Sequence, residues 1–247
     1  MKGVTIGALV FGAVFGGALL GMLLKVVLPK HHLSADSKDI VKLGMGLIAT
    51  MSALVLSLLI NSAKSSYDTQ NAQVRLIAAD VTFLDRVLAF YGPEAGDARS
   101  SLRDIVAFMV DQMSSARPIG ALPTTRTERL YDAIQGLSPV TEAQRTLRAQ
   151  AVAVMGQAAR TRWLLFEHRE GTVPTPFVML LTVWLTVIFA SFGLCAPANG
   201  TVVATFLVGS LSVAGAMFLV LELDRPFGGL IRLSAGPLQD ALALIGR

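Results

Sequence analysis

The stretch that decides the fold runs from Phe177 to Gly229: FVMLLTVWLTVIFASFGLCAPANGTVVATFLVGSLSVAGAMFLVLELDRPFGG. It holds two uncharged apolar runs, Phe177–Ala196 and Thr201–Leu221, joined by the turn PANG. A helix needs about 20 residues to cross the hydrocarbon core of a bilayer, and both runs have that length. Lipid offers the backbone no hydrogen-bond partners, and a buried strand is far shorter, so both runs read as helices. The second run stops at Glu222, Asp224 and Arg225. Pro226 cannot continue a helix without losing a backbone bond, and Gly228 and Gly229 let the chain turn sharply. Glu222, Asp224, Arg225, Pro226, Phe227 and Gly228 therefore form a juxtamembrane elbow, whose acids and arginine have exposed backbone or a neighbour's charges to bond. The tail after it, Leu230–Gly246, is amphipathic enough to lie along the membrane or against the polar part of the chain.

Working toward the N-terminus, two further uncharged runs appear, Val4–Leu24 and Leu43–Ile60. The first is longer than the apolar segment of a signal peptide, about 7–15 residues, and no small-residue cleavage site follows it, so it reads as a true span. Composition agrees with four spans: 53% of residues are hydrophobic, 15% are charged and the mean hydropathy is +0.60. Soluble domains carry roughly 25% charged residues. The expected class is an all-α membrane protein with four transmembrane helices and a helical insert. Its parts are a first transmembrane pair (1–61), a cytosolic insert (62–173), a second pair (174–223) and an elbow with an amphipathic C-terminal helix (224–247). The net charge is only +4 and the basic residues are scattered, which weighs against a nucleic-acid partner. The single Cys195 can close no disulfide within the chain and supplies no cysteine-based metal site.

Basic residues near span ends mark the cytoplasmic side. Lys64 follows the second run, Arg160, Arg162 and Arg169 precede the third, and Arg225 and Arg232 follow the fourth. These place the insert and both termini in the cytoplasm of an inner (plasma) membrane, against a mild opposing signal from Lys25, Lys30, Lys38 and Lys42 in the outer loop. The insert itself has helical spacing. Val74, Ile77, Val81, Leu84, Leu88 and Tyr91 fall on one face, and Gly92 and Pro93 end the pattern. Leu102, Ile105, Met109 and either Gln112 or Met113 mark a second helix, a short third follows from Arg126, and Thr141 is placed to cap a long fourth.

The chemistry-bearing pattern lies on the second run. Gly46, Thr50, Ala53, Ser57 and Asn61 are its small or polar residues. At about 100° per residue they fall within about 40° of one line along a helix. The line continues upward to Lys42 and downward through Lys64 and Asp68. A polar stripe at membrane depth either packs against another helix or borders a wet path. Charged residues at both of its ends favour the wet path, with Lys38 and Lys42 at the outer mouth. Glycines four apart in the first run, Gly3 with Gly7, Gly12 with Gly16 and Gly17 with Gly21, allow close helix contact within the chain or with a neighbour. No catalytic motif appears, and His31, His32 and His168 have no companions at metal-ligand spacing. An enzyme, a metal and a cofactor are not expected.

The layout and the ending Leu223, Asp224, Arg225, Pro226, Phe227, Gly228, with Arg232, Pro237 and Leu238 beyond, resemble the bestrophin-like family of four-span membrane proteins. That family is similar in layout to bestrophins, pentameric anion channels whose second helix lines a central pore. The resemblance implies a homo-oligomeric, pentameric ion channel in the lipid bilayer, with identical subunits as partners and inorganic ions, leaning to anions such as chloride, as cargo. Two differences stand out. The second run lacks the aromatic neck of bestrophins, and no counterpart of their calcium-clasp acids is recognisable. The competing expectation is a non-conducting scaffold or sensor whose cytosolic helical domain binds a partner.

Overall fold

The computed structural model describes residues 2–27, 35–115, 124–167, 173–224 and 231–246. Among the described residues eight α-helices follow one another: α1 (Lys2–Val27), α2 (Ala35–Tyr91), α3 (Gly96–Ser114), α4 (Thr124–Gln135), α5 (Glu142–Glu167), α6 (Thr175–Cys195), α7 (Gly200–Leu223) and α8 (Gly236–Leu244). Among the described residues there is no strand. Four helices among the described residues, α1, α2, α6 and α7, are long and apolar enough to cross a membrane. The protein is an all-α membrane protein.

One element differs from the expected layout. The second apolar run and the first helix of the insert are a single helix of 57 residues. Between Ile60 and Val74 the sequence has no glycine or proline, so nothing interrupts the hydrogen-bond ladder. The helix ends where Gly92 takes a φ of 127°, a left-handed value that side-chain-bearing residues rarely adopt, and Pro93 opens a short 3₁₀ turn to Ala95.

The chain forms two compact units. The first comprises Met1–Ser66 and Gly171–Asp224. Here α1 packs against both α6 and α7. The contact with α6 is close because glycines face backbone. A methyl on Gly21 would lie 1.9 Å from the Ala190 carbonyl oxygen, and one on Gly193 2.1 Å from that of Ala18. Gly3 and Gly7 face Phe218 of α7, whereas Gly12 and Gly16 face open space. The glycine pairs thus divide, Gly3/Gly7 and Gly17/Gly21 serving contact within the chain. The Lys25 ammonium donates to the Ala196 carbonyl at 2.8 Å, placing a cation at the negative C-terminal end of α6. Asn199 caps α7 by accepting the Val202 N–H at 2.9 Å.

The second unit comprises Tyr67–Glu170 and Arg225–Arg247. Val74, Ile77, Val81, Leu84, Leu88 and Tyr91 are all buried, as are Leu102, Ile105, Met109 and Met113 of α3. Thr141 and Gln144 form a reciprocal cap at the start of α5: the Gln144 N–H donates to the Thr141 hydroxyl (3.1 Å) and the Thr141 N–H to the Gln144 side chain (3.3 Å). The C-terminal segment packs into this unit, with Leu238, Ala241 and Ile245 in its core. Arg103 donates to the Ile245 carbonyl at 2.7 Å. Arg99 donates twice to Asp85, at 2.8 and 3.0 Å, which raises the basicity of the guanidinium, chiefly through that hydrogen bond.

Candidate functional site

Helix α2 meets the rest of the first unit through one face. Ser52, Leu59 and Ala63 are buried there, and Val55 and Leu56 are half-buried beside them. Every member of the polar stripe, Gly46, Thr50, Ala53, Ser57, Asn61, Lys64 and Asp68, is exposed. Helical geometry places the stripe about 140° around the helix from the packed face. Leu43, Leu47, Met51, Leu54 and Leu58 are also exposed, and they form a second line beside the polar one. The open side of α2 therefore carries two unlike strips, one apolar and one small or polar.

α2 is the most open of the four spans. In its most apolar window 11% of residues are buried, against 33% in α1 and 22% in each of α6 and α7. Its hydroxyls divide. Thr50 donates to the Gly46 carbonyl at 2.9 Å and Ser52 to that of Ile48 at 2.8 Å, so both are satisfied on their own helix. Among the described residues, Ser57 and Asn61 bond to nothing else in the chain. Asn61 follows the last residue of the apolar run, so its unbonded amide is placed to meet water or a partner from outside this chain. At the other end, Lys42 pairs with Asp39 at 3.0 Å, and both side chains are largely exposed. The side chain of Lys38 lies outside the described residues.

The elbow's two acids have duties inside the chain. Asp224 is buried, and its carboxylate accepts the N–H of Val173 at 3.1 Å, which ties the end of α7 to the segment entering α6. Glu222 is buried too, and its carboxylate lies against Gly3 in the first turn of α1, where unpaired N–H groups and the helix dipole favour an anion. Arg225, Pro226, Phe227 and Gly228 lie outside the described residues, as do His31, His32 and His168. Among the described residues no group of three or more His, Cys, Asp or Glu could hold a metal ion.

Sequence reasoning missed the Glu222–Gly3 contact and the burial of Ser52. Glu222 gave a signal, being an acid at a span end opposite a helix start. Ser52 gave none, because its neighbours on the helix are apolar on every side.

These features define a class: a four-span, all-helical membrane protein whose second span leaves a polar strip uncovered. The bestrophin-like domain family matches residues 12–238, and the chain belongs to that family. Its fold is similar to the crystal structure of a point mutant of a bacterial bestrophin homologue from Klebsiella pneumoniae, with a TM-score of 0.65 over 95% of this chain and 99% of that one. The two chains are 15% identical, so the likeness is one of fold. No curated protein matches the sequence.

Proposed function

We propose that the chain assembles as a ring of identical subunits, five in number, around an ion pathway bordered by the polar strip of α2. The observation that carries this reading is the exposed, unbonded pair Ser57 and Asn61 on the least covered span. A lipid-facing helix is apolar on its open side, and this one is apolar on only half of it. The other three spans cover the opposite face, so whatever shields the strip from lipid comes from further copies of the chain. A ring meets that need, with the leucine line of α2 against a neighbour or lipid and the strip facing water. Both termini and the insert then lie on the cytoplasmic side, and no catalysis is involved. Membership of the bestrophin-like family supports a channel.

The pathway leans to anions, but weakly. Lys42 at the outer end shares its charge with Asp39, and Asp68 lies beyond the inner end of the same strip. Thr50 sits roughly 15 Å from the inner end of the apolar run. Because its hydroxyl is bonded to its own backbone, it presents mainly a methyl group at mid-membrane. A narrow, weakly polar centre of that kind discriminates by ease of dehydration more than by charge.

The test is ion flux from liposomes with a particle-mass measurement on the same preparation. Ser57→Phe should block flux and Asn61→Leu should reduce it. In a Cys195→Ser background, Ser57→Cys and Asn61→Cys should react with a water-soluble thiol reagent, whereas Leu54→Cys should not. A folded oligomer that passes no ions, with the thiol of Ser57→Cys unreactive, would favour the scaffold reading.

A further inference from the structure

The second unit carries a half-open hollow of about 60 Å³ among helices α2 to α5. Ile77 and Leu84 of α2 and Ile105 and Met109 of α3 form much of its apolar wall. Two polar residues line it as well. The Thr127 hydroxyl is buried and has no hydrogen-bond partner. Arg162 of α5 is partly buried, and among the described residues it has no carboxylate, carbonyl or ring partner. Among the described residues no acidic one lines the cavity.

This combination is unusual inside a helical core. A buried hydroxyl left unpaired costs about 1–3 kcal/mol, and a guanidinium half removed from water costs more unless an anion meets it. Burial lowers the basicity of Arg162, as expected when nothing nearby balances its charge. The other half-buried arginines described in this unit have partners: Arg99 with Asp85, Arg126 with the Asp104 carbonyl and the Phe108 ring, and Arg148 with Gln135. Arg162 stands apart from them, against an apolar hollow.

We infer that the cavity binds a small monocarboxylate, its hydrocarbon tail filling the apolar walls and its carboxylate pairing with Arg162. A guanidinium presents two parallel N–H donors to a carboxylate, a geometry that a neutral or purely apolar ligand cannot use. A water-sized volume takes about 10–15 Å³, so the hollow holds roughly four to six heavy atoms of tail. The fitting ligand is a short-chain fatty acid or a compact aromatic acid. A long-chain lipid is too large, and chloride has no tail to fill the hollow.

Equilibrium dialysis of labelled hexanoate against the full-length protein in detergent tests this. Hexanoate should bind saturably at one site per chain. Unlabelled hexanoate should displace it, while acetate, which lacks the tail, and 1-hexanol, which lacks the charge, should compete at least tenfold more weakly. Arg162→Gln should weaken binding at least tenfold and Arg162→Lys less, with far-UV circular dichroism unchanged. Ala159 lines the cavity, and Ala159→Met should abolish binding by filling it, which gives a second test should Arg162→Gln fail to fold. Absence of a saturable site, equal affinity in Arg162→Gln, or equal competition by 1-hexanol would each overturn the assignment. None of these outcomes depends on whether the protein conducts ions.

Discussion

Replacing Gly21 with alanine should break the α1–α6 contact, while the same change at Gly12 should leave it intact. The new methyl at Gly21 would sit 1.9 Å from the Ala190 carbonyl oxygen and 3.0 Å from the Leu194 nitrogen, where ordinary contact begins at 3.4 Å. These are backbone atoms, so no side chain can swing aside, and the helices must part by about 1.5 Å. A gap of only 0.5–1 Å forfeits about a quarter to a half of each dispersion contact. Parting the helices by more than that places the cost at or above the upper end of overpacking, about 3 kcal/mol. Alanine's helix preference returns about 1 kcal/mol of this. At Gly12 nothing lies within 4 Å of the new methyl, so only the favourable part remains. The two variants should therefore differ by roughly 3 kcal/mol. Unfolding in mixed micelles, as the fraction of sodium dodecyl sulfate rises, reads the difference as a lower midpoint for Gly21→Ala. Equal midpoints would refute the close approach. A Gly12→Ala protein that unfolds normally but assembles poorly would instead place a neighbouring subunit against the open glycine face.

Two further outcomes follow from buried polar groups. Asp224→Leu leaves the Val173 N–H without its acceptor and should cost about 1–3 kcal/mol, while Asp224→Asn, which keeps an oxygen at that place, should recover most of the loss in the same micelle titration. Arg99→Leu leaves Asp85, whose side chain is 2% exposed, without its counter-charge and with the Gly246 N–H at 3.4 Å as a weak donor. Removing one partner of a fully buried pair costs about 3–5 kcal/mol, but Arg99 is partly solvated, so about 2–3 kcal/mol is expected in urea unfolding followed by circular dichroism. The double variant Asp85→Leu/Arg99→Leu should be more stable than Arg99→Leu alone; if it is not, the loss comes from packing and not from the stranded charge.

Much of the fold was legible because two periodicities were strong. Unbroken apolar runs marked the spans, and six positions from Val74 to Tyr91 marked one buried face. The cap at Thr141 was legible from its place ahead of a helical pattern. That one helix runs unbroken from the span to Tyr91 was less plain, because a change from apolar to polar composition looks like a boundary, whereas a helix ends only where the backbone is made to end. Nothing between Ile60 and Val74 does so, and α2 runs on until Gly92. The glycine pairs show a related limit. Spacing of four says that two glycines share a face, but not what the face meets. Gly17 and Gly21 meet α6, and Gly12 and Gly16, with the same spacing, meet open space within this chain.

The polar strip joins these two lessons. Its line along α2 was readable from residue types alone, since a fixed turn of about 100° per residue turns sequence into angle. Its environment was not, because packing against another span and bordering water demand the same small and polar residues. The structure narrows the choice by covering the opposite face of α2 with Ser52, Leu59 and Ala63 and leaving the strip open. Three spans were available to cover Ser57 and Asn61, and all three are engaged elsewhere. A group of this kind cannot rest in lipid, where an unbonded amide costs more than a single helix contact returns. A solitary chain in a bilayer would be driven to hide Asn61 by associating with others, and the apolar line beside the strip directs that association sideways. In the proposed ring, the pressure toward assembly and the polar lining of the pathway would thus arise from one helix surface. Asn61→Leu, by removing the strip's one amide, should weaken the oligomer as well as the current.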